Sequence, residues 1–542
     1  MKPFKAPVDD IFFTLNHVAK AQEIPDWDSE MAQAVIEHFS RFAEDQIAPL
    51  NELGDRQGCR LENNRVKLPP EFVECYRSFC EQGWPSMCIG EEHGGQGQKP
   101  ILVGVVAEIF SGACHSLQML AALVPGLVGV LERFGTPDQR ARFMPDLVSG
   151  DALATMCLTE PQAGSDLSQV RTRASENGDH WLINGEKIFI SGGDQNLSPK
   201  ITHLVLARTG SVEEGIKGLS LFICPSHNAD ATRNGVQVER IEEKMGIHAS
   251  PTCQLVFSDA DAELVGKQGE GLLGMFTMMN HARMDVSLQG VAHATRAADI
   301  SRSYAMERKQ GRIKGHEGSV AIADHADVRR MLVHQDALAI GCRAMTYMTL
   351  VMMENSQNKP LVEFLTPVCK AFCTDAGSEA ADLAIQVLGG YGFLREFQVE
   401  QHWRDGRIAR IYEGANGIHA VTLVNRLLRH DNAASANAFF NFIEDEMNFS
   451  ATAGKNTSHL AKSLEVWNES RTDILAAPDP TQMAYSFMKL TGTLLFLAVW
   501  QRIEDAAKQS PESQKYLSTA DFVRRYYVPE IDVWAARCRA EI

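Results

Sequence analysis

Three groups of residues combine types that could hold a ligand or move a proton. The first lies in Met156–Asp166, which reads Met-Cys-Leu-Thr-Glu-Pro-Gln-Ala-Gly-Ser-Asp, and in Asn184–Ser191. A strand that ends in a threonine and then turns through Pro, Gly and Ser can present backbone N–H groups and two hydroxyls, those of Thr159 and Ser165, to a planar or phosphorylated ligand. On the residues alone, an ordinary surface turn is the commoner explanation.

The second group contains an arginine and a pair of glycines. Tyr304–Gln310 includes Arg308, and a guanidinium can pair with a phosphate through two parallel hydrogen bonds. Gln386–Gly392 includes Gly389 and Gly390, which allow a backbone to approach a phosphate closely. The glycine motif is weak by itself, because a Gly-Gly pair is more often the end of a helix.

The third group surrounds Glu413, in the segment Ile411–Gly414. A glutamate before a glycine is usually a solvated residue at a helix end. In a dry pocket, however, desolvation raises the pKa of a carboxyl group and makes the carboxylate a stronger base. For Arg283 as well, the commoner explanation on the residues alone is a solvated position, here on the surface of a helix.

Hydrophobic periodicity predicts the elements that position these groups. Apolar residues at three- and four-residue steps predict helices over roughly the first 150 residues, the first of them ending near Pro49. Short β-rich runs follow from Asp151, and their spacing predicts an antiparallel barrel or sandwich. Helical periodicity returns at Gly271, and a linker at 432–436 leads to a further helical stretch.

We therefore predict an α+β multidomain fold in four parts. They are an N-terminal helical domain over residues 1–150, a middle antiparallel β-domain over 151–270, a C-terminal four-helix bundle over 271–430, and an appended helical domain over 431–542. A chain of 542 residues is long enough for several packed units.

Composition excludes several classes of function. The net charge of −17, from 69 acidic and 52 basic residues, disfavours a nucleic-acid or membrane partner. The N-terminus lacks the apolar run of a signal peptide, and Leu490–Trp500 is shorter than the ~20 residues needed to cross a bilayer. The twelve cysteines form no paired CxxC motifs and the histidines form no cluster. We expect a soluble, cytoplasmic protein without a metal.

Taken in order and at their spacing, these motifs resemble those of the acyl-CoA dehydrogenase family. The resemblance covers roughly Ala34–Arg429 and implies FAD as the cofactor and an acyl-CoA as the substrate. Glu243–Thr252, Met275–Asn280 and Leu365–Ala371 are similar to the methylmercaptopropionyl-CoA dehydrogenase branch, as is the appended domain. That branch implies 3-(methylthio)propanoyl-CoA, from dimethylsulfoniopropionate catabolism, although its paralogues take ordinary acyl-CoAs.

The resemblance gives each motif a role. It implies that Glu413 removes the α-proton of the thioester while hydride leaves Cβ for flavin N5. It places Arg283 near the CoA moiety. It also implies a homodimer or dimer of dimers, in which Arg308 and the Gln386 loop contact the FAD of a neighbouring subunit. Residues implied at the cofactor are Met156, Leu158, Thr159, Gly164, Ser165, Phe189, Ile190, Ser191, Arg308, Gln386, Gly389, Gly390 and Asn416. Residues implied at the substrate are Ser165, Asn280, Arg283, Tyr412 and Gly414. The implied electron acceptor is an electron-transferring flavoprotein.

The position of the base agrees with one pattern among relatives. Some branches place it on the earlier helix, where this chain has Ala282, which cannot abstract a proton, so Glu413 has no rival. Three other positions depart from common family residues: Ala415 replaces a threonine, Gly417 a glutamine and Gly311 a phenylalanine. FAD binding remains the expectation, with fewer side-chain contacts.

Two alternatives stay open. An acyl-CoA oxidase would use the same base and flavin but would let oxygen reach the reduced flavin. A relative without dehydrogenase activity could instead bind nucleic acid, although the net charge and the retained Glu413 weigh against it.

Overall fold

The protein divides into two compact units. The structure is a computed structural model that describes residues 2–228, 230–452 and 457–540. The sheet unit comprises Phe42–Lys99 and Ala113–Ala282. The helical unit comprises Met1–Arg41, Pro100–Gly112 and Arg283–Ile542.

Helices account for most of the elements. The helices are α1 (Val8–Phe13), α2 (Ser29–Phe42), α3 (Pro49–Gln57), α4 (Pro70–Glu81), α5 (Pro100–Ala121), α6 (Val124–Phe134), α7 (Pro137–Ser149), α8 (Gly271–Glu307), α9 (Ala326–Met352), α10 (Lys359–Leu388), α11 (Val399–Gly406), α12 (Asn416–Thr422), α13 (His430–Thr452), α14 (Ser458–Ala476), α15 (Ala484–Ala506) and α16 (Ser513–Cys538). The strands are β1 (Arg60–Glu62), β2 (Arg65–Lys67), β3 (Ala152–Cys157), β4 (Arg173–Asn177), β5 (His180–Ser191), β6 (Lys200–Arg208), β7 (Leu219–Pro225), β8 (Val236–Ile241) and β9 (Thr252–Val265).

A seven-stranded sheet forms the core of the sheet unit. Its strand order is β3-β6-β4-β5-β9-β7, β8 pairs with β9, and a further pairing of β7 with β6 closes the sheet on itself. Strands β6 and β7 are buried along nearly their whole length, as their runs of Val, Leu and Ile require. The predicted antiparallel pairing is confirmed for most strands, but β3 runs parallel to β6 through six registered pairs.

The helical unit is built around long apolar helices. Within it α15 contacts α9, α10, α13, α14 and α16, which explains why Leu490–Trp500 is buried from end to end. By length and composition alone, α5 and the helical stretch Pro480–Gln509 are apolar enough to cross a membrane, so the helix that contains Leu490–Trp500 is longer than the apolar run seen in the sequence. In each of the two, 78% of the most apolar segment of 18 residues is buried inside the protein, as in a core helix.

One predicted helix end is also wrong. We expected the first long helix to end near Pro49, but a π-helical turn at Ala43–Ile47 follows α2, and α3 begins at Pro49. Proline is well tolerated there, because the first residues of a helix have no intrahelical partner for their N–H groups.

A buried ion pair joins two helices of the helical unit. Arg343 of α9 donates from Nε at 2.9 Å and from Nη2 at 2.7 Å to Glu108 Oε1. Tyr347 OH, also from α9, donates to Glu108 Oε2 at 2.8 Å. All three side chains are almost completely buried, so none of these bonds can be replaced by water.

We predict that Arg343→Leu destabilises the protein by about 3–5 kcal/mol, because it leaves the Glu108 carboxylate buried without its cation. Tyr347→Phe removes only one hydrogen bond to that carboxylate and should cost about 2 kcal/mol. Urea unfolding of the two variants measures both changes. Equal costs for the two variants would contradict the assignment of the ion pair as the dominant contact.

Candidate active site

Glu413 lies in a tight turn between the short 3-10 helix Arg407–Arg410 and α12. The φ angle of Glu413 is 55° and that of Gly414 is 90°, so both residues have the left-handed conformation. A side chain at position 414 would come within 3.0 Å of His419 Nε2, which restricts this position to glycine. For a non-glycine residue such as Glu413 the conformation costs on the order of 1–3 kcal/mol, so neighbouring contacts must hold it.

Two side chains bond the carbonyl groups of this turn. His419 of α12 donates from Nε2 to the Glu413 carbonyl at 3.1 Å. Lys370 of α10 donates from Nζ to the Gly414 carbonyl at 2.7 Å and to Asn416 Oδ1 at 3.0 Å. Burial and neighbouring positive charge lower the pKa of His419 to about 3, so its ring is neutral. Because a carbonyl can only accept, the proton of this neutral ring is on Nε2.

Asn416 ties α12 to α10 through its side-chain amide. Its Nδ2 lies 3.2 Å from the Ala371 carbonyl, 3.1 Å from Thr374 Oγ1 and 3.0 Å from Asp375 Oδ1. The two hydrogens of the amide are shared among these acceptors. The side chain of Asn416 is therefore engaged within the protein.

The side chain of Glu413 is half-buried, and its carboxyl group is not in an ion pair with any residue that the structure describes. Its Oε2 atom is buried and accepts no hydrogen bond from any residue in the described ranges. Burial raises the pKa of Glu413 to about 7, while the positive charges of Arg283 and Lys370 act against that rise. Burial likewise lowers the pKa of Lys370 to about 7. A carboxyl group and an amine that both titrate near neutral pH therefore share this site.

The neighbouring Tyr412 is anchored on α8. Its hydroxyl donates to Gln289 Oε1, and Gln289 Nε2 donates to Asp285 Oδ2 at 2.8 Å. Burial raises the pKa of Tyr412 well above its usual value, so the phenol stays protonated. The hydroxyl of this predicted substrate residue thus fixes the turn against α8.

A cavity of about 410 Å³ in the helical unit brings together three of the predicted cofactor residues. Arg308, Gly389 and Gly390 line it, and the Arg308 guanidinium lies over the ring of Tyr391, 5.8 Å from its centroid. A β-carbon at either glycine would have no other atom within 4 Å, so the space on that side of the backbone is open. Gln386 is exposed near the end of α10 and does not line the cavity.

In the sheet unit, a buried ion pair holds the turn that follows β3. Glu160 accepts from Lys187 Nζ at 2.8 Å and from the backbone N–H groups of Arg171 at 2.7 Å and Thr172 at 3.0 Å. Lys187 also donates to the Leu158 carbonyl at 3.0 Å. Five of the positions predicted at the cofactor belong to β3 and the turn after it. Met156 and Thr159 are half-buried, Leu158 is buried, and Gly164 and Ser165 are exposed.

The second predicted cofactor segment contains an exposed aromatic ring. Phe189 lies where the register of β5 with β9 shifts between Lys187 and Ile190. Its φ is 59° and its side chain is 61% exposed, whereas Ile190 is buried and Ser191 pairs with Thr252. Such a ring on a fixed strand offers a face on which a planar ligand can stack. Asn280, predicted at the substrate, is exposed on α8.

Four residues of these sites were missed in the sequence. They are Lys370, His419, Glu160 and Lys187. A signal existed for Lys370, because it is the single charged residue in the apolar run Phe364–Thr374. No local signal identifies His419, whose role depends on the turn that it contacts.

Comparison with known proteins identifies the family. Profiles for the N-terminal, middle and C-terminal domains of acyl-CoA dehydrogenases match residues 29–151, 155–260 and 269–428. The chain is 38% identical over 524 residues to the 3-methylmercaptopropionyl-CoA dehydrogenase of Ruegeria pomeroyi, covering 91% of this chain and 89% of that one. The chain belongs to the acyl-CoA dehydrogenase family.

This acyl-CoA dehydrogenase is an oxidoreductase with the three-domain fold of the family, in which a β-domain lies between helical domains in the sequence. It is 32% identical to a broad-specificity linear acyl-CoA dehydrogenase of Mycobacterium tuberculosis, over 80% of this chain and 76% of the relative. The acyl-CoA dehydrogenase of Bacillus anthracis, solved in complex with FAD, covers 97% of this chain and 91% of its own at 22% identity and a TM-score of 0.78. The shared fold therefore includes helices beyond residue 428.

We predict that Glu413→Gln stabilises this acyl-CoA dehydrogenase more at about pH 8 than at about pH 5. A carboxyl group whose folded pKa is raised from 4.5 to about 7 stabilises the fold below the lower value and loses that contribution as pH rises through the higher one. Glutamine does not titrate, so the difference in unfolding free energy should grow by on the order of 2 kcal/mol across this range. Urea unfolding at both pH values measures it. A difference that is independent of pH would show that the carboxyl is not desolvated.

Proposed function

We propose that this enzyme oxidises an acyl-CoA thioester to the trans-2-enoyl-CoA, with Glu413 as the base that removes the α-proton. The observation that supports this role is the buried Oε2 atom of Glu413, which accepts no hydrogen bond within the described part of the chain, together with the raised pKa of the carboxyl group. The α-C–H of a thioester is a weak acid, so its base must be strong for a carboxylate and must be held at a defined position. An exposed or ion-paired carboxylate would be a weaker base.

The backbone of Glu413 adds a second function. Its N–H group makes no hydrogen bond to any residue of the described chain, so it is free to donate to the thioester carbonyl. Negative charge develops on that oxygen as the α-proton leaves, and a fixed donor stabilises the charge. Arg283 on α8 contributes positive charge to the same region and is the residue that we assign to the CoA side of the substrate.

The cofactor of the family is FAD, and the residues present fit it. Phe189 offers an exposed ring on a fixed strand, and the exposed Gly164 and Ser165 leave the turn after β3 accessible. When bound, FAD supplies the acceptor for the hydride that leaves Cβ. We assign Arg308, Gly389 and Gly390 to phosphate and adenosine groups, by two-point pairing and close backbone approach.

The substrate proposed is a short acyl-CoA, with 3-(methylthio)propanoyl-CoA as its most specific form. The relative from Ruegeria pomeroyi carries that specificity in its name and matches nearly the whole chain. The relative from Mycobacterium tuberculosis is named for linear acyl-CoAs, which makes an ordinary short acyl chain the second candidate.

The proposed setting is a cytoplasmic homodimer, or dimer of dimers, that passes electrons to an electron-transferring flavoprotein. The cavity at Arg308 and Gly389 supports the dimer, because family members serve the partner's FAD from this position. All twelve cysteines are free thiols, which supports a reducing compartment.

We predict that Glu413→Gln keeps the yellow colour of bound flavin but no longer bleaches anaerobically with an acyl-CoA. Removing a general base lowers rates by about 10²–10⁴-fold or more, while the amide preserves the shape of the turn. Stopped-flow absorbance of the flavin measures the reductive step directly. Wild-type reduction by this variant would sink the assignment of the base.

A panel of acyl-CoAs, assayed with an artificial electron acceptor and separately with oxygen, tests the substrate and the reaction class. We expect the highest kcat/KM with 3-(methylthio)propanoyl-CoA or butanoyl-CoA, and negligible oxygen consumption. Oxygen consumption equal to turnover would identify an oxidase instead. A protein that holds no flavin and reduces no acceptor, but binds RNA or DNA, would support the nucleic-acid alternative.

A further inference from the structure

Two side chains at the Glu413 turn have no part in the proposed reaction. Lys370 bonds the Gly414 carbonyl and His419 bonds the Glu413 carbonyl, and these are the two consecutive residues of the turn with a left-handed backbone. We propose that Lys370 and His419 form a carbonyl clamp, a pair of positioning residues that hold this turn and so aim the Glu413 carboxylate. The inference rests on the proposed role of Glu413 as the base.

The chemistry of Lys370 argues against a purely structural role. Its side chain is completely buried in α10 between Cys369 and Ala371, which are also buried. Within the described chain, its amine bonds only the Gly414 carbonyl and Asn416 Oδ1, both of them neutral. A buried ammonium without an ion pair is costly, and a leucine or methionine would fill the same helix position more favourably. The amine therefore serves the turn that it contacts.

The two halves of the clamp act from different helices. His419 is on α12, three residues after that helix begins, and a β-carbon at position 414 would lie only 3.0 Å from its Nε2 atom. Lys370 reaches the next carbonyl from α10. Left-handed residues persist only where surrounding contacts over-determine them, and the directions of two successive carbonyls are fixed here by two donors.

One member of the clamp, Lys370, also places a positive charge near the Glu413 carboxylate. The titratable groups that shift the pKa of Glu413 are Arg283 and Asp285 from α8 and Lys370 from α10. The neutral His419 from α12 bonds only the carbonyl of Glu413. Asp375 and Arg410 act in turn on Lys370. The positive charge of Lys370 opposes the effect of burial on the pKa of Glu413, so removing this charge should raise the pKa at which the base becomes active.

The first test compares Lys370→Met, Lys370→Arg and the control Lys359→Met as FAD-loaded enzymes. Lys359 begins the same helix but is exposed. The readout is the rate of anaerobic flavin reduction against pH, with the fastest acyl-CoA of the substrate panel. Lys370→Met should lower the limiting rate about tenfold to a hundredfold. It should also shift the acid limb, which is the rise in rate on the acidic side of the pH–rate profile, upward by about one pH unit. Lys370→Arg should return the limb to its wild-type position, and Lys359→Met should change neither quantity.

A loss of packing alone would slow the enzyme without moving the acid limb, so an unmoved limb overturns the proposal even if the rate falls. An unchanged rate and limb in flavin-loaded Lys370→Met also overturns it. If Lys370→Met fails to fold or to hold FAD, the test is a comparison of two variants of His419. His419→Gln keeps an N–H donor, and His419→Leu does not. Flavin reduction that is about tenfold faster in His419→Gln than in His419→Leu supports the clamp, and equal rates in the two variants overturn it.

Glu413→Gln, measured in parallel, separates the clamp from the reaction itself. If Glu413→Gln reduces flavin at the wild-type rate, the proposed base is wrong and the clamp loses its function with it. If Glu413→Gln is inactive while Lys370→Met and the His419 pair behave like wild type, only the clamp is wrong.

Discussion

The proposed active site depends on keeping one carboxylate away from water without neutralising it. A Glu413 that made a direct ion pair would be stable but weakly basic, and one that faced solvent would have the pKa of an ordinary glutamate. The structure avoids both outcomes by placing Arg283 and Lys370 close enough to act electrostatically while leaving Oε2 without a donor in the described chain. Three helices must meet at one turn to achieve this, and the left-handed backbone of that turn is its cost.

Two buried glutamates, Glu108 and Glu160, and the half-buried Glu413 show how the same residue type can have different roles. Glu108 is fully bonded by Arg343 and by a tyrosine hydroxyl, and it joins helices. Glu160 is buried too, yet the charge of Lys187 and its hydrogen bonds lower the pKa against the effect of burial, which suits a group that only organises a turn. For Glu413 burial prevails and the pKa rises. Whether a buried carboxyl group is structural or reactive thus depends on the number and direction of its donors.

The parts of the structure that sequence could predict are those encoded locally. Apolar runs and their periodicity predicted the long helices, and the ordered motifs predicted Glu413 and the glycines of the Arg308 cavity as site residues. The parallel pairing of β3 with β6 was not predictable, because the pattern of a strand does not reveal its partner. The charge of Lys370 in an apolar run was a local signal, but its partner was not predictable for a similar reason, because the bond to Gly414 joins residues 44 positions apart.

The position that we propose for the base, in the turn at Glu413 and not at residue 282 of α8, has a physical reason. Residue 282 lies inside α8, where the backbone N–H of each residue is used by the helix ladder. A glutamate there could remove a proton, but it could not donate from its own N–H. In the turn at Glu413 the N–H is outside any helix and is unbonded within the described chain, so one residue can offer both a base and a donor. Because proton removal and charge development on the carbonyl oxygen occur together, placing both groups on one fixed turn removes a degree of freedom between them. A strained turn that must be held by its neighbours is the structural consequence.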